Sequence, residues 1–232
     1  MSGGLSWIEG YVPVMINLTQ DGDVFVLRMD DDENRLSPTN LEQIEESLAL
    51  VESAEGPKAL VTTGTGKFFS NGLDLDWVGA HQDEFMPYLA RVHALFARML
   101  SLPCATVAAC NGHTFAAGAM LAICHDHRVM REDRGYWCLP EVDLGMPFTP
   151  GMLALIPAMI PARVAHEAMV TGRRYTGPEA LTAGIVGALA PEAEVLSAAV
   201  GHAATLTSKA GPNIGSIRAR LHAPVIAALT SE

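Results

Sequence analysis

The chain runs to 232 residues, 49% of them hydrophobic, with no compositional break, which suits one large α/β domain rather than two small ones. Its formal net charge of -11 excludes a polyphosphate-binding face, because nucleic acid normally needs a basic stripe to release counterions. An acidic protein can still hold a small anionic ligand through a few local Lys, Arg or backbone N–H groups.

Tyr11 to Leu18 and Val24 to Met29 read as two strands joined by the turn Gln20-Asp21-Gly22-Asp23, a hairpin signal with Gly at the tight position. Ser37 then offers an N-cap and Pro38 a first helical residue, and Leu41, Ile44, Leu48 and Val51 recur at helical spacing. Ala59 to Thr63 is a short, apolar, buried-type strand that ends at Gly64-Thr65-Gly66, and loops at such strand ends commonly bind ligands. Leu89, Val92, Phe96 and Met99 trace one face of a helix starting at Phe85, which Pro103 ends before the strand Ala105 to Ala109.

Gly112 to Gly118 is a small-residue turn into a helix around Ala119 to Ile123, followed by extended segments at Arg128 to Met130 and Tyr136 to Leu139. Beyond Thr149 the pattern turns helical. Helices are expected near Gly151 to Met159, Ala162 to Val170, Pro178 to Ala183, Ala193 to Ser208 and Ile214 to Leu229, around one short strand at Ile185 to Leu189. No repeat or low-complexity linker interrupts the chain.

Several chemical motifs fail on inspection. Gly64-Thr65-Gly66-Lys67 is not a phosphate loop, since Phe68 follows the lysine and the upstream Gly spacing is wrong. Cys124, His125, Asp126 and His127 are metal-ligand types, but neighbours on an extended segment point to opposite faces, so core packing is expected and a zinc hydrolase is a minor alternative. No G-x-S-x-G elbow is present, which disfavours an acyl-enzyme. Cys104, Cys110, Cys124 and Cys138 lie in apolar segments without C-x-x-C spacing and read as buried free thiols of a reducing compartment. No uninterrupted apolar stretch is long enough to span a bilayer, and there is no secretory signal pattern. The final Leu229-Thr230-Ser231-Glu232 is unlike an S-K-L peroxisomal address, so the cytoplasm is the expected location.

Two stretches place small residues where a strand gives way to a turn and helix: Ser70-Asn71-Gly72-Leu73-Asp74, and Gly112 through Gly118. Two backbone amides converging from them on one oxygen would make an oxyanion hole, and the second would gain from the helix dipole. Tight packing is the alternative reading of such turns.

Lys67-Phe68-Phe69-Ser70-Asn71-Gly72-Leu73-Asp74-Leu75, Ala109-Cys110-Asn111-Gly112 through Gly118 and Cys124-His125-Asp126 together resemble the paired oxyanion-hole signature of the crotonase (enoyl-CoA hydratase/isomerase) superfamily. Leu139-Pro140-Glu141-Val142-Asp143-Leu144-Gly145 resembles its P-E-x-x-x-G segment. Thr171-Gly172-Arg173, Glu179-Ala180 and Gly184-Ile185-Val186 resemble its later block. The likeness spans Asn34 to Val186 in the family's order, and its flavour is similar to the plant-type Δ3,Δ2-enoyl-CoA isomerases.

The resemblance implies an α/β fold, a crotonase-like spiral of ββα units with a helical C-terminal region: residues 1–190 as the core and 191–232 as a helical segment of the same domain. It implies an acyl-CoA substrate, no cofactor beyond the CoA of the substrate itself, no metal, no nucleic-acid or membrane partner, and assembly as a homotrimer or dimer of trimers. The oxyanion-hole amides would belong to Leu73 and Ala117, and the catalytic base would be Glu141. Lys67, Ser70, Asn71, Gly72, Asp74, Gly118 and Met120 are the expected substrate-contacting residues, with Lys67 and the loop to Asp74 at the adenine and phosphate end of CoA.

Hydratases of the family add a second glutamate three residues beyond the second amide, where this chain has Met120, which can neither ionise nor orient water. One carboxylate suits proton transfer, so a 3-enoyl-CoA to 2-enoyl-CoA isomerase is the leading reading. Hydration, thioester hydrolysis and a catalytically weak CoA-binding or assembly subunit remain alternatives. Asp143 would share the face of Glu141 if the segment were extended, though a solvated or capping role is expected for it, and Asp74 and Asp76 read as turn or helix-start residues.

Overall fold

The computed structural model describes residues 14–231. The first three residues of the expected Tyr11 strand lie outside this range. β1 (Ile16–Asp21) and β2 (Val24–Met29) form the antiparallel hairpin read from Gly22, and every later strand of the large sheet joins in parallel. α1 (Pro38–Ser53) starts where the sequence indicated, with the Ser37 hydroxyl accepting from Asn40 N–H. β3 (Ala59–Gly64) enters the large sheet, and β4 (Phe68–Ser70) leaves it for a second, smaller one. α2 (Leu75–Ala80) and α3 (Phe85–Met99) follow.

The same alternation repeats twice. β5 (Ala105–Cys110) lies in the large sheet, β6 (His113–Phe115) in the small one, and α4 (Ala117–Ile123) returns the chain. β7 (His127–Arg131) and β8 (Trp137–Cys138) do likewise before α5 (Glu141–Leu144). The outcome is a six-stranded sheet in the order β1-β2-β3-β5-β7-β9 and a three-stranded parallel sheet in the order β4-β6-β8. This is the spiral of ββα units.

Helices α6 (Pro150–Met159), α7 (Ala162–Thr171) and α8 (Gly177–Thr182) lead to the edge strand β9 (Ala188–Ala190). The strand expected from Ile185 starts three residues late, because the Ile185 and Val186 N–H groups both donate to Ala180 C=O and finish α8. α9 (Val195–Ala204) is shorter than the expected Ala193 to Ser208, its flanks being single 3-10 turns. The expected Ile214 to Leu229 helix is two, α10 (Pro212–Leu221) and α11 (Ala223–Thr230), parted at Pro224, which has no N–H to continue the ladder.

The large sheet is apolar on both faces, as a parallel sheet covered by helices must be. Val24, Val26, Ala59, Val61, Val107 and Ala109 point towards Val195, Ala199 and Ala203 of α9. The alternate residues Leu27, Met29, Leu60, Ala108 and Cys110 join the main core with α1, α3 and α4.

The Cys124 to His127 segment is dispersed, as expected for core packing. Cys124 is buried, His125 sits between Leu121 C=O and the Thr62 hydroxyl, Asp126 pairs with Arg218 of α10, and His127 stacks on His202. Among the described residues no three His, Cys, Asp or Glu side chains group so as to hold a metal ion. All four cysteines are free and buried, and no described helix is long and apolar enough to cross a membrane.

Candidate active site

The three strands of the small sheet run parallel, so their C-terminal ends share one edge. Leu73 lies three residues past the end of β4, Ala117 two past β6 and Glu141 three past β8. A cavity of about 440 Å³ opens at this edge. Glu141, Leu73, Ala117 and Asn71 line it, together with Phe115, Ala116 and Pro140 of the strand ends. Phe85, Leu89, Leu144, Met146 and Met152 make much of the rest of the wall apolar.

Glu141 is the first residue of α5 and only 7% exposed. Its Oε2 is buried and meets no hydrogen-bond donor among the described residues. Burial away from water raises its pKa to about 7, while its own backbone N–H offsets part of that rise. A carboxyl poised near neutrality, facing an apolar cavity, can take and return a proton without strong bias either way.

Leu73 and Ala117 line the same cavity as this carboxyl. Neither Leu73 N–H nor Ala117 N–H donates to an acceptor among the described residues, and Ala117 opens α4, where helix N–H groups have no intrahelical partner. Gly72 and Gly118 bring the two turns together. Gly72 has φ +88, and a Cβ built on it would lie 3.1 Å from Ala117 N; one built on Gly118 would lie 2.5 Å from Ser70 C=O. Ala116 holds φ 50 and ψ -126, a region L residues avoid, pinned by its N–H donating to Cys138 C=O at 3.0 Å and its C=O accepting from Met120 N–H at 3.0 Å.

At the mouth, Arg35 lines the cavity beside Asp76 and pairs with Glu33, Asp74 and Asp76. These partners hold its guanidinium charge firmly, while Asn71 and Arg35 pull the Glu33 carboxyl below its ordinary range. Tyr88, buried behind the mouth, has its hydroxyl pushed up to about 12 by burial.

Of the residues expected to contact substrate, Asn71 is among the wall residues of this cavity, and the others lie around it. Ser70 is fully buried and accepts from Gly72 N–H, and Gly118 backs onto it, so both set the turn geometry. Gly72 joins the two turns from behind. Asp74 caps α2 by accepting from Trp77 N–H and binds Arg35. Met120 is fully buried in the core, as is the whole of α4. Lys67 precedes β4, at the other end of the small sheet, in a separate 270 Å³ cleft with His113, Arg131 and Arg134. Asp143 does not share the face of Glu141, because the segment is helical and its carboxylate lies against Gly172. Arg35, Phe85, Thr149 and Met152 carried no sequence signal for the site, since only long-range packing brings them there.

With this geometry in view, the enoyl-CoA hydratase/isomerase family model matches residues 19–232. The chain belongs to this family. Enoyl-CoA delta isomerase 3 of Arabidopsis thaliana is 36% identical over 210 residues, covering 84% of this chain and 86% of that protein. The peroxisomal enoyl-CoA delta isomerase 2 of the same plant is 36% identical over 231 residues, covering 90% and 92%. Among solved structures, the enoyl-CoA isomerase of Mycobacterium tuberculosis in its apo form superposes with a TM-score of 0.83 at 27% identity, covering 93% and 94%. The family's crotonase fold is thus the fold of this chain.

Proposed function

We propose that the chain shifts the double bond of a 3-enoyl-CoA to give the 2-enoyl-CoA, with Glu141 as its only proton carrier. The observation that carries this reading is a single buried carboxyl, raised to about 7 and with its Oε2 meeting no donor among the described residues, sharing an apolar cavity with Leu73 and Ala117, whose N–H groups donate to no described acceptor. Glu141 removes a proton from C2. The electron pair moves towards the thioester oxygen, and the N–H groups of Leu73 and Ala117 stabilise the resulting dienolate. The same carboxyl returns the proton at C4, leaving the double bond conjugated with the thioester. The sequence of steps is redox-neutral, so no flavin, nicotinamide or metal is needed to balance it.

Hydration would need a second group to hold and deprotonate water. The other carboxylate of the cavity wall, Asp76, is tied to Arg35. Arabidopsis relatives carry isomerase names, whereas a carnitinyl-CoA dehydratase of Salmonella enteritidis is 27% identical over 205 residues, so hydration is the activity to assay alongside. Incubation with 3-enoyl-CoA and 2-enoyl-CoA, with products separated by chromatography and identified by mass, tests the reading. Conversion of the first to 2-enoyl-CoA with little 3-hydroxyacyl-CoA is expected, and equal or faster hydration would overturn it.

We also propose assembly as a homotrimer or dimer of trimers. In support, half-exposed Val142, Leu144, Leu153 and Val170 stand on α5, α6 and α7, of which α5 and α6 each pack on α7. Light scattering on the purified protein checks the mass. The cytoplasm is the proposed compartment and the peroxisome of the Arabidopsis relative its competitor, which cell fractionation separates.

A further inference from the structure

We infer that Tyr88 is a positioning residue for the Leu73 amide, the first of the two proposed oxyanion donors; the inference rests on that proposed role. The Leu73 N–H belongs to the same planar peptide unit as Gly72 C=O, so whatever holds that carbonyl also aims the N–H, in the opposite direction. Leu36 N–H donates to Gly72 C=O at 2.8 Å. Leu36 is itself held from its other side, because the Tyr88 hydroxyl donates to Leu36 C=O at 2.6 Å. The same hydroxyl accepts from Asp74 N–H at 3.0 Å, which fixes the peptide on the far side of Leu73.

One side-chain oxygen therefore clamps both flanks of the residue whose amide must stay still. Tyr88 is 3% exposed and is not part of the cavity wall, so it acts on substrate only through this backbone. Its neighbours on α3, Phe85 and Leu89, do line the cavity, so the helix that shapes the wall also carries the clamp. Burial keeps the hydroxyl protonated at working pH, and it can donate and accept at once. α2, which follows Leu73 and Asp74, has no buried residue of its own to fix the turn.

The test compares wild type, Tyr88→Phe and Tyr175→Phe. Tyr175 is another buried tyrosine whose hydroxyl donates to the exposed Glu167, away from the cavity, so its variant controls for the loss of a tyrosine hydroxyl and its hydrogen bond. Each protein is titrated with a 2,4-dienoyl-CoA, whose near-ultraviolet band moves to the red when donors polarise its carbonyl, and assayed for isomerisation. Tyr88→Phe should lose most of the red shift and lower kcat about tenfold or more, with KM changed far less, as expected for a donor misaligned rather than deleted. Tyr175→Phe should keep both. Incorporation of 3-fluorotyrosine at position 88 keeps ring and hydroxyl but strengthens its donation to Leu36 C=O and weakens its acceptance from Asp74 N–H, and should move the band away from its wild-type position even if the Phe variant does not fold. A wild type without any red shift would overturn the oxyanion-hole reading and the clamp together. A wild type with the shift, unchanged in Tyr88→Phe or, where that variant does not fold, unchanged in the 3-fluorotyrosine protein, would overturn the clamp alone.

Discussion

Gly72 passes so close to Ala117 that a Cβ built on it would stand 3.1 Å from the Ala117 nitrogen and 2.9 Å from the Ala116 Cβ. The approach, together with a φ of +88, leaves room for glycine only, and it ties the turn after β4 to the turn after β6. Gly72→Ala must either move the two amides apart or strain the backbone, at a cost of about 1–3 kcal/mol. The expected result is a melting temperature lower by several degrees and a turnover down by about 10²-fold, the order found when one oxyanion donor is lost. Thermal melts with single-turnover kinetics read both; a variant with wild-type turnover would mean that the two amides do not act on one oxygen.

Ala116 shows the opposite relation between residue and backbone. At φ 50 and ψ -126 it occupies a conformation that glycine adopts freely, yet it carries a Cβ. Ala116→Gly should relieve about 1–3 kcal/mol of strain while adding about 0.4–1 kcal/mol of unfolded-state entropy, a net gain near 1 kcal/mol. That corresponds to a rise of roughly 2–4 °C in melting temperature for a chain of this size. Turnover should be no higher than in wild type, because the strained residue holds the Ala117 amide in place and stability gained at a site commonly costs activity. A lower melting temperature would show that the observed dihedrals are not strained in this setting.

These two residues also show what was legible in the sequence. The turns around Leu73 and Ala117 stood out because small residues at strand ends are a local signal, whereas the carboxyl of Glu141 was reached only through the family resemblance, which also supplied their order. Ser37-Pro38 and the stripe from Leu89 to Met99 likewise placed α1 and α3, since capping and helical period act within a few residues. The small sheet was not legible as a sheet: β4, β6 and β8 have three, three and two residues, too few to display a period of two. Local pattern left the Glu141 segment unassigned after Leu139, and the structure makes it a helical turn closed by Gly145 in the left-handed region. Lys67 and Met120 lie off the cavity wall for a different reason. Their neighbours in sequence line it, but Lys67 precedes β4 at the opposite end of the small sheet and Met120 is enclosed in the core within α4.

Met120 is therefore not a wall position waiting for a carboxylate. It is fully buried among core side chains, and its N–H closes the first turn of α4 on Ala116 C=O. Met120→Glu places an acid where neither water nor a described cation solvates it, so it should stay protonated near neutral pH and cost several kcal/mol. The expected variant has a much lower melting temperature and no gain in hydration of 2-enoyl-CoA. A folded variant that hydrates at least ~10-fold faster than wild type, the order of a gained acid/base, would instead place position 120 within reach of substrate.

At Glu141 stability and turnover should depend on one and the same proton. Its pKa stands at about 7 in the folded chain against an ordinary 4.5, so the folded state holds this proton more tightly than the unfolded state does. Stability from this group is then full below pH 4.5, declines as pH rises to 7, and is flat above. The difference amounts to about 3 kcal/mol, taking 1.36 kcal/mol per unit of pKa. Glu141→Gln removes the ionisable group while keeping its shape. The variant should match wild type near pH 4.5 and exceed it in stability at pH 8, the gap opening between those values. Other carboxyls, such as Glu33 with its lowered pKa, titrate alike in both proteins and cancel in the comparison. Activity should move the other way, with turnover down by at least ~10²-fold from loss of a positioned acid/base, and wild-type kcat/KM should rise with pH through about 7 as the base form appears. Denaturant melts of both proteins at pH 5 and pH 8, with a wild-type pH–rate profile, read the two halves separately. Equal stability of the two proteins at pH 8 would show that Glu141 is solvated rather than desolvated, and near-normal turnover of the variant would move proton transfer to another group.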